Sequence, residues 1–350
     1  MKNNVIKYCL IITLSLMAVS LRAEDWVRVK KLSGTWKFSI GDDLNWKNPK
    51  FNDKRWDEVR VPSSWENQGF HGYNGYAWYR NNFKLDSELK GNSLEIHLGY
   101  IDDADEVYVN GHLIGFSGSF PPNYSTAYYA YRKYPIPTQI INFDGENVVA
   151  VRIYDAELEG GIISGEIGIF AKMGGLVPDF DLSGLWKFNT DDDLSRKEVN
   201  YNDTNWKELV VPSYWETSGY RDYDGFAWYR KEFVLPQKLN NEKLVLLLGK
   251  IDDIDEVYVN GKLVGGTGKI ESNPNEINFY NEYSQLRGYY LPDNVLNKTG
   301  KNIIAVRVYD GYKDGGIYSG PIGLITQKNY SDFWKTNRKK NKTLFEWLFD

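Results

Sequence analysis

The sequence predicts an all-β protein built of two tandem β-sandwiches of jelly-roll type, and three observations carry that expectation. The chain repeats itself: Leu32-Ser33-Gly34-Thr35-Trp36-Lys37-Phe38 returns 150 positions later as Leu182-Ser183-Gly184-Leu185-Trp186-Lys187-Phe188. Apolar side chains recur at every second position, as in Leu94, Ile96 and Leu98, in Val149, Val151 and Ile153, and in Ile304, Val306 and Val308. A period of two is that of a strand with one face buried. Finally, Val107-Tyr108-Val109 runs into Asn110-Gly111, and Val257-Tyr258-Val259 into Asn260-Gly261. Asn-Gly after an apolar alternation signals a hairpin, because both residues tolerate positive φ.

The repeat sets the domain organisation. Its offset of 150 holds from Leu32 to Gly118, then becomes 155 where Arg132 to Pro137 answers Arg287 to Pro292, and ends where Gly168 matches Gly323. Two units of domain size therefore differ by one five-residue insertion, and each is large enough to bury its own core. Many short strands joined by turn residues argue for a sandwich or jelly roll in each. The expected divisions are an export signal over 1–23, a first repeat over 24–175, a second over 176–325 and a tail over 326–350. The junction around Met173-Gly174-Gly175-Leu176-Val177-Pro178 is too short for a free tether, so the two repeats are expected to pack together.

The first residues have the composition of an export signal: Lys2 and Lys7, then an apolar run from Leu10 to Val19, then Ala18, Ser20 and Ala23. That run is too short to span a bilayer. A periplasmic or extracellular location follows as the expectation. Cys9 is the only cysteine, so the mature chain is expected to have no disulfide and no thiol chemistry. Losing Lys2, Lys7 and Arg22 with the signal takes the formal net charge from -5 to -8. An acidic protein lacks the basic face that nucleic acid requires, and no second apolar stretch is long enough to cross a membrane. The tail joins Lys335, Arg338, Lys339, Lys340 and Lys342 to Phe333, Trp334, Leu344, Phe345, Trp347, Leu348 and Phe349. It reads as a segment docked on the sandwich by its aromatics; a helix for a membrane surface or a partner is the alternative.

The most specific shared block is Ile101-Asp102-Asp103-Ala104-Asp105-Glu106, which recurs as Ile251-Asp252-Asp253-Ile254-Asp255-Glu256. Four carboxylates within five positions repel one another unless solvent, arginines or a calcium ion offsets them. Arg80/Arg230, Arg132/Arg287 and Arg152/Arg307 are kept in both copies, so the block reads as a structural Asp–Arg network with no metal, calcium remaining the alternative. An enzyme rarely needs the same carboxylate dyad twice, and no residue is assigned as catalytic. The three histidines, His71, His97 and His112, face Arg221, Leu247 and Lys262 in the other copy and read as surface or packing residues. No Gly-x-Ser-x-Gly or His-Glu-x-x-His motif is present.

A second shared block is Val61-Pro62-Ser63-Ser64-Trp65-Glu66, matched by Val211-Pro212-Ser213-Tyr214-Trp215-Glu216. It leads into Trp78-Tyr79-Arg80 and Trp228-Tyr229-Arg230. With Val-Tyr-Val-Asn-Gly and the strand ending Arg152-Ile153-Tyr154-Asp155, these segments give the resemblance. Each copy resembles the N-terminal sugar-binding, galactose-binding-like jelly-roll domain of glycoside hydrolase family 2 enzymes such as β-galactosidases and β-glucuronidases. The Asp-Asp-x-Asp-Glu block and the Arg-x-Tyr-x-x-Pro run are also similar to the domain inserted in sialate O-acetylesterases. The resemblance implies carbohydrate as ligand, with catalysis in a separate barrel or hydrolase domain for which no stretch of this sequence is left over.

The function expected is therefore an exported, non-catalytic carbohydrate-binding protein, accessory to polysaccharide or glycoside breakdown and partnered by a companion glycoside hydrolase. A hydrolase of the β-galactosidase or sialate O-acetylesterase kind and a structural or protein-docking module are the alternatives. Stacking on sugar is expected from Trp65, Trp78, Trp215 and Trp228, and hydroxyl contacts from Glu66, Asp155, Glu216 and Asp310. Trp36 and Trp56 read as core and rim. Specificity is expected where the copies differ, in 117–131 with Phe120, Tyr124, Tyr128, Tyr129 and Tyr131 and in 267–286 with Asn273, Asn275, Phe279, Tyr280 and Tyr283, because binding residues concentrate on loops held by a rigid scaffold.

Overall fold

In a computed structural model, the protein is described over residues 26–271, 277–278 and 280–340, with side chains to 337. The expected export signal, the end of the tail, and Asn273, Asn275 and Phe279 lie outside the described residues. The chain is almost wholly β.

The first repeat contributes β1 (Trp26–Lys31), β2 (Gly34–Ile40), β3 (Asp57–Val61), β4 (Gly75–Phe83), β5 (Leu94–Asp102), β6 (Ala104–Val109), β7 (His112–Ser117), β8 (Tyr131–Ile136), β9 (Asn147–Asp155) and β10 (Gly161–Lys172). These form two antiparallel sheets, a four-stranded one in the order β1-β10-β5-β8 and a six-stranded one in the order β3-β2-β4-β9-β6-β7. The second repeat follows with β11 (Phe180–Asp181), β12 (Gly184–Thr190), β13 (Lys207–Val211), β14 (Gly225–Val234), β15 (Leu244–Asp252), β16 (Ile254–Val259), β17 (Lys262–Thr267), β18 (Leu286–Tyr290), β19 (Lys301–Asp310) and β20 (Gly316–Thr326). Its sheets run β11-β20-β15-β18 and β13-β12-β14-β19-β16-β17, the same topology position for position. One helix, α1 (Gln327–Lys340), ends the described chain.

The alternation in the sequence reads directly onto the layers. Ile96, Leu98, Val149, Val151 and Ile153 point between the two sheets into one continuous core with Trp36, Phe38 and Ile169. The intervening Ala150 faces outward, yet it is covered by a small second cluster of Trp78 and Tyr108 with Trp46 and Trp56 packed on it. Both Asn-Gly pairs sit in the left-handed region, Asn110 at φ 51° and Asn260 at φ 49°, the backbone that joins β6 to β7 and β16 to β17. Asn110 does more than turn. Its amide donates to Ile140 O and Asn147 Oδ1, both at 2.7 Å, and its Oδ1 accepts the Val148 amide at 2.9 Å. The hairpin tip is thereby pinned to the strand beside it.

The two repeats touch. Arg221 of the second domain pairs with Glu106 of the first, and its guanidinium lies 4.2 Å from the centre of the Phe116 ring. Gln139 donates to Ser183 across the same boundary. Helix α1 packs Tyr330 and Phe333 against Val245, Leu247 and Ile325 on the outer face of the second four-stranded sheet, together with Leu176. Trp334 stays about half exposed. Asp179 anchors the helix start, accepting the Thr326 amide at 2.7 Å and the Asn329 side chain at 3.0 Å.

Candidate functional site

The four tryptophans expected to stack on sugar are interior side chains. Trp65, Trp78, Trp215 and Trp228 are each 0% exposed, which leaves no ring face for a ligand. The physical reason for Trp65 lies in the glycine-rich segment after β9. Gly160 crosses the indole so closely that a Cβ built on it would stand 2.1 Å from Trp65 Cζ2, and Gly315 meets Trp215 at the same 2.1 Å. Glycines near a tryptophan permit backbone to cover the ring. Trp78 is stacked on Tyr108 at 5.8 Å and donates to Asp42 at 3.0 Å, and Trp228 is stacked on Tyr258 at 5.9 Å.

The carboxylates expected to read hydroxyls are corrected in the same way. Glu216 is buried, and both its oxygens accept the Gly315 amide at 3.1 Å. Glu66 is half-buried and accepts the Gly160 amide at 3.2 Å. Both fasten the segment that covers the tryptophan. Burial pushes Glu216 up to about 8, so it is largely neutral near pH 7. Asp155 and Asp310 are fully buried, out of reach of a sugar. Tyr128 and Tyr280 are exposed on their loops, at 58% and 80%.

The Asp-Asp-x-Asp-Glu block divides into two environments. A strand alternates its faces, so Asp105 and Glu106 point to opposite sides of β6. Asp105 turns inward, meeting Arg132 Nε at 2.7 Å with both side chains fully buried, and accepts the Tyr134 hydroxyl at 2.8 Å. Glu106 turns outward to Arg152 at 3.2 Å. Arg80 is engaged by Asp53 at 2.7 Å. The second domain repeats these pairings through Arg287–Asp255, Arg307–Glu256 and Arg230–Asp203.

Asp102 and Asp103 are not part of that network, which corrects the expectation of an Asp–Arg lattice across the whole block. Asp102 ends β5 in the four-stranded sheet, Ala104 begins β6 in the six-stranded sheet, and Asp103 is the single residue between them. Asp155, at the end of β9, joins them there. These three carboxylates, like Asp252, Asp253 and Asp310, form no ion pair among the described residues, and one oxygen of each lies within 4.8 Å of the others in its group. Burial and the adjacent Asp103 push Asp102 up to about 7, and burial with the Asp103 and Asp102 charges does the same to Asp155. In the second domain, Asp252 rises to about 9 and Asp310 to about 8, in both cases mainly through burial. Burial acts upward on Asp103 too, but hydrogen bonds from Thr126 and Tyr124 hold its carboxyl below the usual range.

A second feature lies on the outer face of the first four-stranded sheet. His97 stacks on Phe170 with ring centres 3.9 Å apart, Tyr131 meets Tyr100 edge-on at 5.4 Å, and Lys133 lies 5.7 Å from the Tyr131 ring. With Trp26 and Glu166 they line an open groove of about 530 Å³. The repeat contained the signal for this face. Trp26, His97, Tyr100, Tyr131 and Phe170 correspond to Leu176, Leu247, Lys250, Leu286 and Ile325. In the second domain Leu176, Leu247 and Ile325 lie buried under α1. One copy therefore keeps an open aromatic face where the other is apolar and closed by its own helix. His97 packs in this face with its Nε2 3.2 Å from Glu95 Oε2, and Leu247 takes its place in the second copy.

With this geometry in view, the comparisons with known proteins assign the domain type. A family model described as the beta-galactosidase second all-beta domain matches residues 41–159. The chain's domains are thus similar to all-β domains of β-galactosidases. A β-galactosidase of Bacteroides ovatus is 26% identical over 250 residues, which cover 64% of this chain and 28% of that protein. A β-glucuronidase of Streptococcus agalactiae is 33% identical over 91 residues, 25% of this chain and 14% of its own. A solved β-glucuronidase of Bacteroides uniformis aligns over 81% of this chain and 28% of its own, at 16% identity and a TM-score of 0.36. The chain thus spans less than a third of the length of each of these relatives. Among the described residues, no helix is long and apolar enough to cross a membrane.

Proposed function

We propose that the protein is an exported, non-catalytic carbohydrate-binding protein that retains a companion glycoside hydrolase's polysaccharide or glycoside substrate on the first domain. The observation that carries this reading is the open aromatic face of Trp26, Tyr100 and Tyr131. Flat rings take up the apolar faces of pyranoses, and Lys133 and Glu166 at the same groove offer charged partners to hydroxyls. The domain type is that of β-galactosidases and β-glucuronidases, which favours sugar over another ligand. Glu216 is buried and committed to Gly315, and Glu66 accepts the Gly160 amide at 3.2 Å, so both carboxylates of a hydrolytic reading hold the scaffold.

Affinity gels cast with neutral and acidic polysaccharides test this. The intact protein is expected to be retarded on at least one. Tyr100→Ala with Tyr131→Ala is expected to weaken that binding about tenfold or more, since two lost stacking contacts amount to about 1–3 kcal/mol. Equal retardation of the variant and the parent, or no retardation on any polysaccharide, would reject the reading.

A further inference from the structure

We propose that each domain holds one calcium ion at the point where the chain crosses between its two sheets, bound by Asp102, Asp103 and Asp155 in the first and by Asp252, Asp253 and Asp310 in the second. Three observations converge on this site.

The first is charge. The arginines kept beside the block are already engaged. Arg132 spends its N–H groups on Asp105 at 2.7 Å, on Asp103 O at 2.9 Å and on the carbonyls of Ala127 and Ala130. Arg287 does the same with Asp255 at 2.9 Å, Asp253 O at 2.8 Å and the carbonyls of Glu282 and Gln285. Each arginine thus grips the Asp103 or Asp253 backbone and forms no ion pair with the carboxylates of its cluster, although the Arg132 charge offsets part of that on Asp102. Three carboxylates gathered at one largely buried point repel one another unless protons or a cation join them.

The second observation is an unmet atom. Asp155 is 0% exposed, and its Oδ1 has no hydrogen-bond partner; Asp310 is 0% exposed, and its Oδ2 has none. The other oxygen is provided for in each case. Asn74, turned so that its amide nitrogen faces the carboxylate, donates to Asp155 Oδ2 at 3.3 Å, and Asp310 Oδ1 accepts the Tyr312 amide at 3.3 Å. Buried polar atoms are almost always satisfied, and the same carboxylate is left wanting in both copies. Asp102 and Asp252 are only half-buried, which gives an ion a way in.

The third is size and chemistry. One oxygen of each carboxylate lies within 4.8 Å of the others in its group, close enough for one cation to meet all three; calcium accepts irregular cages of protein oxygens, whereas magnesium dehydrates reluctantly and is seldom held by an all-protein cage. A hard, all-carboxylate donor set suits calcium and disfavours zinc or copper. Because Asp102 belongs to one sheet and Asp155 to the other, the ion ties the two layers together at that end of the sandwich. The second site is the more acidic, with Asp224, whose charge acts on Asp310, in place of Asn74. It is expected to bind more tightly.

The full chain, stripped with chelator and dialysed, is titrated with calcium chloride by calorimetry and followed by thermal unfolding. The expected result is two ions per chain, one for each carboxylate group, and a rise in the unfolding midpoint of roughly 5 °C or more at saturation. Magnesium at the same concentration should give less than half that rise. Asp310→Asn should remove the tighter step, and Asp155→Asn with Asp310→Asn should remove both. The double variant should also unfold, without calcium, no lower than the stripped parent, because an amide relieves the repulsion. If it fails to fold, Asp102→Asn with Asp252→Asn, at the half-exposed rim, is the substitute and should lose at least tenfold in affinity. Absence of both heat and midpoint shift, an equal response to sodium chloride at matched ionic strength, or a full response in the variants would overturn the proposal.

Discussion

Replacing Arg132 by methionine is expected to destabilise the first domain by about 3–5 kcal/mol, the cost of leaving a buried charge without its partner. Arg132 and Asp105 are both fully buried at 2.7 Å, so the carboxylate cannot turn to water when the guanidinium is lost. Burial already pushes Asp105 above the usual carboxylate range, with Arg132 pulling it back. Without Arg132 the folded-state pKa climbs further. A group raised in the folded state contributes most below its unfolded pKa and loses that contribution as pH rises, so the variant's deficit should be smaller at about pH 5 than at about pH 8. Denaturant unfolding of parent and variant at both values measures this. Adding Asp105→Leu should recover only part of the loss. The arginine also donates to the carbonyls of Asp103, Ala127 and Ala130, and each of these acceptors would lose one partner, as would the Tyr134 hydroxyl that Asp105 receives at 2.8 Å, although Tyr134 keeps Ser117 at 2.7 Å. Full recovery, or a deficit that grows at low pH, would show that the pair is not the anchor of this loop.

The pairing also shows where sequence reading reached its limit. Strands, hairpins and the doubled topology were legible because each depends on local periodicity: two for the strands, Asn-Gly for the turns, a near-constant offset for the repeat. The carboxylate block was legible as a cluster and as something needing countercharge. Its division was not, because strand alternation sends Asp105 inward and Glu106 outward, and the arginines that meet them stand on other strands. Asp155 had no visible link to Asp102, since the pairing of β9 with β6 and of β10 with β5 brings them together from across the chain. Of the aromatic face only Tyr131 was reached, at the end of the loop 117–131; the rest could have been found by comparing the copies at outward strand positions, where Trp26, His97 and Phe170 give way to leucine or isoleucine and Tyr100 to Lys250. The loops attracted attention instead because they differ in length.

Trp65→Ala is expected to destabilise the first domain by about 3–5 kcal/mol, the range for removing a fully buried aromatic side chain. The indole packs on Phe38 at 5.8 Å and Tyr73 at 5.9 Å and donates to Tyr73 O at 3.2 Å, so its loss opens a cavity with Gly160 on its far wall. A ring that bound sugar from the surface would behave differently: its removal would abolish retention on polysaccharide and leave stability nearly unchanged. The buried position predicts the reverse, with lowered stability and undiminished retention per folded molecule. Gly160→Val tests the same packing from the other side. Its side chain must enter where a Cβ already falls 2.1 Å from the indole, and overpacking of this kind costs about 1–3 kcal/mol. Combined with Trp65→Ala, the valine can fill part of the cavity, so the double variant should be more stable than the sum of the two single losses. Coupling of that sign requires contact between ring and backbone. Strict additivity in denaturant unfolding would mean that the glycine segment does not lie on the tryptophan, and would reopen Trp65 as a binding residue.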